Sequence, residues 1–82
     1  MSKLYKPARP LEVRVDARGL PVMLRWRGML YSGNCLNHWR IRTRWWAQEV
    51  LRDYYLWESH GLLCEIYHDA KEGLWYMHRI YD

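Results

Sequence analysis

The sequence predicts a mainly β domain, a small antiparallel barrel or strongly curved sheet of five to six strands, with a short helical turn as an option near residues 45–50. Three observations carry this. Apolar residues alternate with polar ones at period two, the strand spacing. Glycine and Asp/Asn turn signals punctuate the chain at short intervals. And 82 residues with half of them hydrophobic suffice for one small core and no more.

Residues 1–10, "MSKLYKPARP", hold two of the three prolines and read as a flexible arm. The folded domain is then 11–82. "LEVRV" (11–15) alternates, with Leu11, Val13 and Val15 on one face. "DARGLP" is a turn, "VMLRW" (22–26) a strand, and Arg27-Gly28 a tight reversal into "MLYSG". Gly33-Asn34 reads as a bulge. In "HWRIRTRWW" (38–46), Trp39, Ile41 and Thr43 share one face, expected inward. Arg40, Arg42 and Arg44 share the other, expected outward. "WWAQEVLRD" (45–53) carries the helical option. "YYLWE" (54–58), "LLCEIYH" (62–68) and "LWYMHRIY" (74–81) are strands, joined by turns at "SHG" and "DAKEG". Closing such a sheet into a barrel removes exposed edges.

Six Trp and seven Tyr stand against no Phe. Both residues have one apolar body and one polar handle, which suits thin cores and binding surfaces. Net charge is +4 with a pI near 9.3, which points to polyanion partners. The charge is unevenly placed. No acid occurs from Ala17 to Gln48, a window that holds Arg18, Arg25, Arg27, Arg40, Arg42 and Arg44. Arginine grips phosphate as a fork and stacks on flat rings, as lysine does not. The alternative for these residues is a solvated strand face.

Chemistry beyond binding finds little support. Cys35, His38, Cys64 and His68 invite a zinc reading. However, Cys64 and His68 on one strand would stand ~13 Å apart at ~3.3 Å per residue, too far for one ion. Inert thiols are expected instead, with no metal and no cofactor. No nucleophile stands beside a base and no glycine-rich phosphate loop is present, so no enzyme activity is expected. Two cysteines make no disulfide framework. No signal peptide or membrane span is evident, and a cytoplasmic setting is expected. "RDYY" (52–55) reads as a structural corner, with Asp53 capping a turn and Arg52 pairing with an acid such as Glu65.

The ordered words "RWRGMLY", "WW", "RDYY", "GLLCEIYHD" and "GLWYMHRIYD" resemble a small bacterial domain family of unknown function. A similar pattern occurs at the C-terminal end of ImuB-type proteins, inactive relatives of Y-family DNA polymerases in mutagenesis cassettes. The resemblance covers about residues 21–82. His68 departs from it, standing where that family's word has Arg. What it implies is an accessory module in a DNA-repair or translesion setting, with no catalytic residue to carry over.

The expectation is therefore a non-enzymatic module that binds nucleic acid, DNA first, or works within a DNA-processing complex. The expected contacts are Arg25, Arg27, Arg40, Arg42 and Arg44, with base stacking on Trp45 and Trp46. The alternative is a protein–protein module, as a homodimer or a subunit docked on a larger enzyme.

Overall fold

The computed structural model describes residues 2–45 and 48–81, the side chains of Trp45 and Gln48 excepted. Six antiparallel strands follow one another around a closed ring: β1 (Lys3–Val15), β2 (Pro21–Trp26), β3 (Met29–Trp45), β4 (Gln48–Ser59), β5 (Leu62–Asp69) and β6 (Leu74–Tyr81). β1 closes the ring against β6, and every other strand pairs with its chain neighbours. Among the described residues no helix is long and apolar enough to cross a membrane.

Local turn chemistry sets the connections. At the β2–β3 reversal Trp26 faces Met29, and both intervening residues have positive φ, 50° at Arg27 and 78° at Gly28. That is the backbone twist a two-residue hairpin needs, and it costs glycine little. After β1, Asp16 Oδ1 accepts from the N–H groups of Arg18 and Leu20. After β5, Asp69 Oδ1 does the same for Lys71 and Glu72. Both are Asx-type turns, in which the carboxylate replaces a backbone acceptor.

Three expectations change. Residues 3–10 are not an arm: β1 starts at Lys3, Lys3 and Leu4 pair with Ile80 and Arg79, and Tyr5 is buried. Pro7 fits because β1 slips register against β6 between Leu4 and Arg9, so the strand passes it without needing its missing donor, while Pro10 stands in register with Tyr76 before the β2 ladder begins at Glu12. Of the helical option near 45–50, residues 46–47 lie outside the described residues, and the rest is strand, since β3 and β4 stay paired out to Trp45 and Gln48. And the irregularity in β3 lies between Cys35 and Asn37, not at Gly33-Asn34. Gly33 sits in register with Ser59, and a Cβ there would strike the Glu58 carbonyl and meet the Trp57 ring at 3.0 Å. Its glycine serves close approach rather than a bend.

The core comprises Tyr5, Leu24, Tyr55, Trp57, Leu62, Cys64, Ile66 and Met77. Trp57 is its centre, fully buried, with its indole N–H donated to the Pro21 carbonyl at 2.9 Å. A buried indole needs such a partner, and this one ties β4 to the start of β2.

Candidate nucleic-acid interface

The arginine row of β3 faces the opposite way from the sequence expectation. Arg40 lies in register with Asp53. Asp53, Tyr55 and Trp57 alternate along β4, so all three point to the core side. Arg40, Arg42 and Arg44 therefore continue the inner face past the barrel's mouth, where they are exposed. Trp39 lies on the outer face, stacked on Tyr54 at 5.7 Å. Ile41 is 37% exposed and Thr43 is exposed. The extra residue in β3 before Asn37 shifts the phase, and the packing of β4 decides which side is inside.

The row is also largely neutralised. Arg40 donates to Asp53 through Nε at 2.8 Å and Nη2 at 3.2 Å. Arg42 Nε and Arg44 Nη2 share the two oxygens of Glu49 at 3.2 and 3.3 Å. These bonds hold both carboxyls below the usual carboxylate range. His38 stacks on Tyr55 at 4.5 Å and brings Nε2 to 3.5 Å from Asp53. Three guanidinium groups thus meet two carboxylates. "RDYY" is not a capped turn: Asp53 holds Arg40, while Arg52 lies 4.5 Å over the Tyr67 ring and its Nη1 reaches the Tyr54 hydroxyl at 3.4 Å.

Arg25 and Arg27 do not join that row. Arg25 pairs with Leu30, ten residues before Arg40 along β3, which is about 30 Å of strand. They form a second basic cluster at the other end of the barrel. Arg9, Pro10, Arg25, Trp26 and Arg27 line one open depression of about 310 Å³. Arg27 lies 5.6 Å from the Trp26 ring centre and its Nη2 reaches the Tyr5 hydroxyl at 3.4 Å. The Tyr5 and Trp26 rings meet edge to face at 5.3 Å, and Lys3 Nζ sits 5.2 Å from the Tyr5 ring centre. The carboxylate paired here is Glu12, 3.4 Å from Arg25 and itself exposed. Four cations against one acid make this end the more positive of the two.

Trp46 lies outside the described residues, as does the side chain of Trp45. Sequence reasoning missed Lys3, Arg9 and Trp26. The first two were assigned to an arm; Trp26 stands in plain view between Arg25 and Arg27.

It missed an aromatic row too. Trp39, Tyr54, Tyr67 and Tyr76 lie in register across β3, β4, β5 and β6. Their rings follow at 5.7, 5.1 and 5.1 Å on the outside of the barrel. Tyr54 and Tyr67 are each only 6% exposed, so neighbouring rings, Arg52 and His78 cover them as a thin outer layer. Much of the aromatic content is therefore structural.

The cysteines flank Trp57 from the two neighbouring strands, Cys35 on β3 and Cys64 on β5. Burial pushes the Cys64 thiol up to about 12 and raises that of Cys35 less far. Cys35 Sγ lies 3.2 Å from the Asn37 carbonyl oxygen. Among the described residues no three His, Cys, Asp or Glu side chains gather closely enough to hold a metal ion.

No protein-family model, curated protein or solved structure matches the chain.

Proposed function

We propose that this protein is a non-enzymatic nucleic-acid-binding module of the cytoplasm, acting on DNA or within a DNA-processing complex. The observation that carries the reading is the depression lined by Arg9, Arg25 and Arg27 beside Trp26. Small β barrels that bind single strands combine a basic groove with aromatic rings on which bases stack. Arg27 and its neighbours supply forked donors for phosphate, and Trp26 supplies the ring at the rim. The hairpin arginines Arg40, Arg42 and Arg44 add less, because Glu49 and Asp53 offset all but one of their charges, whereas among the described residues Glu12 alone offsets the four cations at the other end. The resemblance to the C-terminal region of ImuB-type proteins adds a repair or translesion setting to this reading.

Titration of labelled single-stranded and duplex oligonucleotides at two salt concentrations tests it. Affinity should fall steeply with salt, and each phosphate contact removed should lower the slope of log affinity against log salt by about 0.7 to 0.9. Arg9→Ala with Arg27→Ala should weaken binding far more than Arg42→Ala with Arg44→Ala. Equal effects, or no binding at low salt, would remove the reading.

A further inference from the structure

We propose that the open edge of β3 is a docking site for an extended, acidic segment of a partner protein, which would add a strand beside the β3–β4 hairpin. The edge is a feature of the ladder. β2 accompanies β3 only from Met29 to Ser32, whereas β4 accompanies it from Gly33 to Trp45. Among the described residues, no strand pairs with the other side of β3 beyond Ser32, nor do its backbone groups bond to any turn. The N–H of His38 donates to its neighbour's side chain, Asn37 Oδ1, at 2.9 Å. Alternation along a strand then sends the N–H and C=O of Arg40, Arg42 and Arg44 to that same unpaired side. A row of free donors and acceptors is the template for strand addition.

Charge selects the occupant. The three arginines carry many more donors than Asp53 and Glu49 use, and they outnumber those acids by one. A partner strand with acidic residues at alternate positions sets a carboxylate beside each arginine, as cross-strand neighbours. Its intervening residues meet Trp39, Ile41 and Thr43 on the outer face, which favours apolar or β-branched side chains. A second copy of this chain fits poorly. Two-fold antiparallel pairing centred on Arg42 would bring Arg42 against itself and Arg40 against Arg44, and like charges opposite one another are unfavourable. This site is separate from the basic depression at the far end, so either proposal can fail alone.

The test uses the full chain and a fluorescein-labelled nine-residue peptide alternating glutamate with valine or threonine, read by anisotropy at low salt. Saturable binding is expected. It should weaken at least tenfold with lysine replacing glutamate, and at least tenfold when the peptide's edge-facing amides are N-methylated. In the protein, Arg42→Pro removes an edge N–H and should abolish binding, while Arg42→Gln keeps that N–H and should weaken it only severalfold. The N-methylated peptide decides the matter if Arg42→Pro does not fold. Absence of binding, indifference to N-methylation, or equal binding of the lysine peptide would overturn the proposal. So would an oligonucleotide that competes for the same edge, or a dimer by light scattering that Arg42→Pro dissolves.

Discussion

Arg40 and Asp53 face each other across β3 and β4, with Arg40 Nε donating to Asp53 Oδ1 at 2.8 Å. The acid side chain is nearly buried and the arginine is mostly exposed. The pair closes the barrel's mouth where the hairpin leaves it. Removing the arginine strands a carboxylate that the fold has largely taken from water. Arg40→Ala should therefore lower the thermal midpoint more than Arg42→Ala or Arg44→Ala, whose shared partner Glu49 is better hydrated. Adding Asp53→Asn to Arg40→Ala should cost less than the two single losses combined, a coupling that a double-mutant cycle measures.

Trp57 offers a sharper test of the core. Trp57→Phe keeps a ring but leaves the Pro21 carbonyl without its donor, which should cost about 1–3 kcal/mol. Trp57→Ala should cost about 3–5 kcal/mol, a large share of the total stability of a domain this size. Urea denaturation measures the first. For the second, loss of the folded circular-dichroism and near-ultraviolet signal is the expected result.

Two glycines should respond for different reasons. Gly33→Ala drives a methyl into the Glu58 carbonyl, and neither backbone atoms nor the Trp57 ring can yield cheaply. Overpacking of that kind costs typically 1–3 kcal/mol. At Gly28 the space is open and only the positive φ resists a side chain, so Gly28→Ala should cost about 1 kcal/mol. Midpoints that reverse this order would contradict the close approach at Gly33.

These contacts show what sequence could carry. Arg27-Gly28, Gly61 and Gly73 mark their turns through local backbone demands, and the strands from Pro21 onward lie where alternation puts them, except that β4 begins at Gln48 within the stretch given the helical option. Which face is inside is not a local property. "WRIRTR" has two faces at any reading, and the choice falls to Tyr55 and Trp57 on the neighbouring strand. The extra residue near Leu36 then resets the phase between Cys35 and His38. The first half of β1 was hidden by its prolines, yet Pro7 falls in the register slip between Leu4 and Arg9 and Pro10 stands opposite Tyr76 before β2 joins the ladder. With it went Arg9, and so the recognition that Arg25 and Arg27 have a third arginine beside them.

The two thiols should differ in reactivity. Thiolate is the attacking species, and burial holds the Cys64 thiol up to about 12. Cys64 should resist a disulfide-exchange reagent at pH 8 until the protein unfolds. Cys35 is only partly buried and should react in the native state, slowly. Labelling followed by mass spectrometry of the fragments distinguishes them. Rapid native labelling of Cys64 would mean that β5 opens far more readily than a core strand should.

His78 sets the expected pH dependence of stability near neutrality. Its ring packs against Tyr54 and Tyr67, with Nδ1 3.2 Å from Glu65 Oε2 but not in hydrogen-bonding geometry. Burial is the main cause that lowers its pKa below the ordinary value of 6.5; Arg79 and Arg52 lower it further, and Glu65 opposes them. The unfolded chain therefore binds a proton here at a higher pH than the folded one. The neutral ring's contribution is complete above about pH 6.5 and is lost as pH falls through the lower folded value. Asp53 and Glu49 hold their pKa values below the usual carboxylate range, so their own losses come at more acidic pH. Thermal midpoints should accordingly fall between pH 7.5 and 5.5, and His78→Gln should flatten that slope while lowering the midpoint at pH 7.5. A slope unchanged in His78→Gln would assign the effect to another group.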